Sequence, residues 1–144
     1  MWSTCGGRDD APVPGMSFFT DAEFLCRCGR AECDAPTHPH RLLLLYLDRV
    51  RAHYGQPMVV TSGNRCAWYN ATLPGHAEPS EHVHPNGCLG ADIACSTSRA
   101  RWALIDACRL TGVTRLGVYP KHLHLGVGDA VDAQGYPGSV AWVG

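Results

Sequence analysis

The sequence predicts an α+β fold, a small antiparallel sheet flanked by two or three helices, and three observations carry that prediction. Leu42, Leu43, Tyr46, Leu47 and Val50 recur at three- and four-residue spacing, which gathers them into one stripe of a helix. His122-Leu123-His124-Leu125-Gly126-Val127 alternates strictly, the period of a strand with two unlike faces. Helical and extended segments succeed one another without internal repeats, an order that suits helices laid against a short sheet.

The elements follow in chain order. Residues 1–16 are rich in Gly, Pro and Asp, show no periodicity and read as a loose arm, so a single domain is expected over 17–144. Thr20 with Glu23 three residues later forms a capping box for a short helix, after which come Cys26, Cys28 and Cys33. Thr37 and Pro39 open the long helix, and Gly55 stops it. Met58-Val59-Val60, between Pro57 and the turn Ser62-Gly63-Asn64, reads as a buried strand. From about Pro74 to Gly90 the chain is loop-like and holds His76, His82 and His84; loops of that length are usually functional or disordered, and the ligand-type residues favour function. Leu89 to Ala94 reads as a second strand. A helix capped by Ser96, Thr97 or Ser98 follows, with Trp102, Ile105 and Cys108 on one face and Gly112 at its end. Leu116–Tyr119 and His122–Val127 complete the sheet, joined at Pro120-Lys121. Phe24, Tyr46 and Trp102 are assigned to the core.

Composition excludes several functions. Twelve Lys+Arg against 13 Asp+Glu leave a charge of 12 − 13 = −1, without the basic excess that phosphate or an anionic membrane surface demands, so no nucleic-acid or membrane partner is expected. No stretch approaches the ~20 apolar residues of a membrane span. Arg8, Asp9 and Asp10 stand where a signal peptide would be apolar, which argues against export by that route. A chain of 144 residues can bury a core without staples, yet it carries eight Cys and eight His. Eight Cys is below the ~8–10% of a disulfide scaffold, so the thiols read as reduced or metal-bound.

The alternation in the last strand sets Leu123, Leu125 and Val127 toward a core and His122, His124 and Gly126 toward the other side. The same parity sets Asp92 between Gly90 and Ala94, and small neighbours leave room for something bulky such as a metal and a substrate. An edge strand with solvated histidines and a hydrogen-bonded aspartate is the plainer reading. Catalytic zinc takes three protein ligands and keeps one position open, and His82, Asp92 and His124 supply such a set from a loop and two strands. Zinc there would acidify a water and polarise the attacked carbonyl.

Five separated segments resemble the zinc D-Ala-D-Ala carboxypeptidases and related peptidoglycan peptidases, the M15 class, particularly the short phage-type members. They are Phe24-x-Cys26-x-Cys28-Gly29; Thr61-Ser62-Gly63-Asn64-Arg65-Cys66 with Asn70; Ser80-Glu81-His82; Ala91-Asp92-Ile93; and Gly117-Val118-Tyr119-Pro120 leading into His122-Leu123-His124. The resemblance implies the Hedgehog/D,D-peptidase-like fold, zinc on His82, Asp92 and His124, Ser80 bracing the His82 loop, and Arg65 holding a substrate carboxylate or carbonyl. A guanidinium suits that task because it pairs bidentately with a carboxylate.

Two departures from the family pattern stand out. Ser-x-His-x-x-Gly-x-Ala-x-Asp is stretched here, with nine residues between His82 and Asp92, which makes His84 an alternative ligand; Ser80 favours His82. The positions that usually carry a general base hold Lys121 and Gly126. His122, sharing a face with His124, takes over that role in this reading, acting as base or stabilising the oxyanion, with Glu81 and Asp129 as fallbacks.

Cys26, Cys28 and Cys33 with Cys66, His38, His40 or His53 could form a second, structural metal site, although buried thiols or a disulfide explain them as well. Cys88 is a possible partner for Cys66, while Cys95 and Cys108 fill core. Trp68, Tyr69 and Tyr119 either line a groove or pack. The function expected is a monomeric, zinc-dependent peptidase of the peptidoglycan stem peptide, made in the cytoplasm and delivered to the wall by a phage particle or through a lysis pore. Two alternatives stand beside it: a non-catalytic zinc-stabilised wall-binding module, and a His-hydrophobic-His nuclease using Tyr119 or Tyr136.

Overall fold

The computed structural model describes residues 16–144; the arm expected over 1–16 lies outside the described residues except for Met16. The long helix α1 spans Arg41–Tyr54 and buries Leu43, Leu47 and Val50, three members of the apolar stripe, before Gly55 closes it in the left-handed region at φ 72°. Its start is three residues later than Thr37 suggested. Pro39 disfavours a helical backbone at His38, and the helix is capped instead by His40, whose Nδ1 accepts from the Leu42 amide at 3.1 Å. The capping box at Thr20 serves a 3-10 turn, Asp21–Phe24, with Glu23 Oε2 accepting from the Thr20 amide at 2.8 Å.

Five strands form one sheet: β1 Val60–Ser62, β2 Gly90–Ala94, β3 Arg115–Val118, β4 His122–Gly126 and β5 Val140–Val143, in the order β1-β2-β4-β3-β5. Between them lie α2 Ala67–Thr72, α3 Ser98–Thr111 and α4 Gly128–Val131. The fold is α+β, but the sheet is mixed rather than purely antiparallel, because β5 adds to β3 in parallel register. The sequence did not reveal β5, a four-residue run whose partner lies more than 20 residues away in the chain. The first strand falls two residues later than Met58-Val59-Val60 suggested. Its position is set by what it pairs with, Val60 opposite Ile93 and Ser62 opposite Asp92 across a bulge.

One face of the sheet meets α1 and α3. Val60, Ala91, Ile93, Leu116, Leu123 and Leu125 point into that layer and pack with Leu43, Leu47, Val50, Leu104, Ala107 and Cys108. Phe24 joins this core, but Trp102 does not: it is 71% exposed. Residues spaced by threes precess about 60° per step on a helix of 3.6 residues per turn, so Trp102, Ile105 and Cys108 cannot share a narrow face. The buried stripe is Leu104, Ala107 and Cys108, with Ile105 only partly buried at its side. Thr97, one of the three cap candidates, caps α3 by accepting from the Ala100 amide at 3.1 Å. The opposite face of the sheet carries the polar residues.

Candidate functional site

Strand pairing builds the centre of the site. Asp92 on β2 stands directly opposite His124 on β4, and Ala94 stands opposite His122, so the alternation in both strands delivers these side chains to the open face. His82 arrives from the loop before β2. Its backbone is fixed by Ser80 Oγ, which accepts from the His82 amide at 3.2 Å, and by the His82 carbonyl, which accepts from the Arg65 amide at 2.9 Å. One donor atom each from His82, Asp92 and His124 lies within 4.8 Å of the others, and all three residues are buried.

The donor chemistry of the three residues fits a divalent cation. His82 Nδ1 lies 2.7 Å from the Gly63 carbonyl and donates to it, which leaves the Nε2 lone pair facing Asp92 Oδ1 at 3.3 Å. Burial pushes the His82 imidazole toward its neutral form. Burial opposes ionisation of Asp92 as well, but hydrogen bonds from His124 and His82 outweigh it and hold that carboxyl well below the usual carboxylate range. His124 lies between two carboxylates, with Nδ1 2.9 Å from Asp92 Oδ1 and Nε2 2.9 Å from Glu81 Oε1. Burial alone would lower its pKa; the two carboxylates instead raise it to about 9. The negative potential that favours a positive charge on this ring would equally favour a metal cation beside it.

Glu81 is the residue whose role the sequence reading missed. Considered only as a fallback base, it is 4% exposed and fully engaged: Oε1 on His124, Oε2 accepting from the Gly128 amide at 2.8 Å and 3.0 Å from Arg115 Nε. It orients the far nitrogen of His124, as a carboxylate behind a metal-ligating histidine does. The only sequence hint was its place beside His82. Asp129, the other fallback, accepts from Thr114 Oγ1 at 2.6 Å and does not line the cleft. The space left by small residues also has a different occupant from the one expected. A Cβ on Gly90 would lie 2.6 Å from the His124 ring, and one on Gly126 would run into the Glu81 carboxylate, so the paired glycines seat the imidazole and its carboxylate.

A cleft of about 700 Å³ opens over this centre, lined by Arg65, Ser80, Tyr119, His122 and Trp142 among others. Arg65 follows β1 and is held by Ser62 Oγ at 3.1 Å, Asn70 Oδ1 at 3.1 Å and Asp92 Oδ2 at 3.3 Å. These contacts use three of the five guanidinium N–H groups and leave two for a ligand. His122 stacks on Tyr119 with ring centroids 4.4 Å apart and lies 3.7 Å from Asp92 Oδ2; burial lowers its pKa, against the pull of Asp92. Trp142 of β5, unforeseen in the sequence, donates from Nε1 to Tyr119 Oη at 2.9 Å and sets its ring 5.4 Å from that of His124.

His84 does not join the group. The extra residues after it turn at Gly87, φ 102°, against the backbone of His38–His40, and the His84 ring packs on His40 at 5.6 Å. Cys88 is not paired with Cys66 either: all seven described cysteines are free, and Cys88 lies in the core. Cys66 gathers instead with Cys26, Cys28 and Cys33, while His38, His40 and His53 stay outside that cluster. Trp68 is half exposed beneath the Arg30 guanidinium, away from the cleft lining.

A small α+β domain with a buried His-Asp-His group, a carboxylate behind one histidine and an arginine at the rim defines a metal-dependent hydrolase. The peptidase M15 family profile matches residues 17–127, more than half of the chain, and the chain belongs to that family of metal-dependent peptidases, usually zinc enzymes. No curated protein matches the sequence. Among the described residues no helix is long and apolar enough to cross a membrane.

Proposed function

We propose that the protein is a zinc-dependent peptidoglycan peptidase that hydrolyses an amide next to a D-residue of the stem peptide, as a D,D-carboxypeptidase or an endopeptidase. The observation that carries this reading is the arginine at the rim: Arg65 lines the cleft, is tied to Asp92 and has two N–H groups outside its three bonds, a fit for a substrate carboxylate beside the scissile amide. Zinc held by His82, Asp92 and His124 supplies a Lewis acid that polarises the carbonyl and acidifies water. Asp92 keeps its charge through Arg65 and the two histidines, and Glu81 fixes the His124 ring. His122, poised over the centre and not hydrogen-bonded to a carboxylate, accepts the proton from water and passes it to the departing amine. Tyr119 and Trp142 wall the cleft on the β3–β5 side.

A wall-binding module of the same fold is the second reading, favoured by one observation: the two carboxylates in the cleft lining, Asp92 and Glu81, are both engaged, so neither stands free as a base. The nuclease reading has no support in the family match. Digestion of purified cell walls with mass spectrometry separates the readings. Release of D-Ala or of cleaved stem peptides that stops on chelation supports the peptidase; intact peptides with zinc bound stoichiometrically at His124 point to the binding module.

A further inference from the structure

Four cysteines from two distant stretches of chain meet on the surface away from the cleft. Cys26, Cys28 and Cys33 belong to the irregular segment before α1, and Cys66 caps α2; their four sulfurs all lie within 4.8 Å of one another. Zinc–thiolate bonds of about 2.3 Å in a tetrahedron set sulfurs about 3.8 Å apart, so this cluster is one small contraction from that geometry. Two disulfides would require only two close pairs, whereas here all four sulfurs are mutually close.

A second observation is independent of the first. Backbone amides are aimed at the sulfurs: Cys66 N–H at Cys26 Sγ (3.3 Å), Arg30 N–H at Cys28 Sγ (3.4 Å) and Tyr69 N–H at Cys66 Sγ (3.4 Å). Gly29, at φ 70°, makes the first turn possible by bringing Arg30 back over Cys28. Amides directed at sulfur favour the thiolate, and three such bonds would be an unusual provision for inert thiols.

We propose that Cys26, Cys28, Cys33 and Cys66 bind a second, structural zinc ion. Each thiol releases its proton to solvent as its zinc–sulfur bond forms, with no change of oxidation state. The ion ties the irregular stretch between Leu25 and His40 to the N-terminus of α2. Because Cys66 follows Arg65 directly, it also anchors the loop that presents Arg65 to the cleft. This inference does not depend on the peptidase reading.

The test is cobalt substitution of the full chain, purified reduced. The cysteine cluster should give an intense thiolate-to-cobalt charge-transfer absorption, which a His-Asp-His site cannot produce. Wild-type protein should take up two metal equivalents. His124→Ala should lose one and keep the absorption; Cys28→Ser should lose one together with the absorption. Should Cys28→Ser fail to fold, alkylation of the wild type decides: the cluster thiols should resist until a chelator is added. An intact mass short by the hydrogens of two disulfides would overturn the proposal, as would freely alkylated thiols in metal-loaded protein lacking the absorption. A failed peptidase reading would leave these thiolate signatures unchanged.

Discussion

The two ligand clusters of this protein are built in opposite ways. His82, Asp92 and His124 are buried, two of them on paired strands, and each has a partner that fixes it without an ion: Gly63 for His82, Arg65 for Asp92, Glu81 for His124. The cysteines are mostly half-buried and stand largely on irregular chain, with only their amide bonds and one another for support. The difference teaches what an ion would do at each. At the first site the scaffold exists before the metal, so an ion there contributes chemistry; at the second the ion would contribute the structure, because metal binding to unorganised ligands is itself folding free energy.

Several experiments would break or sharpen that contrast, the largest effect first. His124→Ala is expected to remove one metal equivalent and reduce stem-peptide hydrolysis to background while the circular dichroism of the fold persists; retention of full metal content would refute the ligand assignment. Chelation should loosen the two regions unequally. Tryptic cleavage at Arg27 and Arg30 and amide exchange over residues 26–35 are expected to rise toward unprotected rates, whereas the β2 and β4 amides stay protected; equal loosening would erase the distinction between the clusters. On the other face of the same strand, Leu123→Ala should cost about 2–5 kcal/mol of stability in denaturant titration, since Leu123 is fully buried and its loss leaves a cavity. Glu81→Gln should keep the fold and weaken metal affinity or turnover by about 10–100-fold, the usual effect of removing a carboxylate behind a ligating histidine. A loss no larger than that of an exposed substitution would return Glu81 to a packing role. Trp102→Ala, at an exposed position on α3, should change stability by no more than about 0.5 kcal/mol.

Local pattern made much of this legible. The stripe of α1, its stop at Gly55, the cap at Thr97 and the parity of β2 and β4 are all properties of neighbouring residues, and each is present in the structure. The same parity brought Asp92 and His124 to one face, so their meeting across the sheet was legible in the sequence. Where the reading failed, the deciding contact came from far along the chain. Trp102 was placed in the core because a row of threes was taken for a helical face. Glu81 was weighed only as a fallback base behind His122, but it is consumed by His124 and Arg115, 43 and 34 positions away.

What the sequence determined by itself is therefore which residues share a face: periods of two and 3.6 are fixed by backbone geometry, and they put the histidines and Asp92 opposite the leucines. What only the tertiary structure decided is which faces meet. Glu81 behind His124, Trp142 over the cleft by a parallel strand, His84 turned onto His40 and Cys66 joined to Cys26, Cys28 and Cys33 are all pairings between distant segments. No local period encodes them, because they arise from the chain's one way of covering its apolar face while satisfying its buried charges.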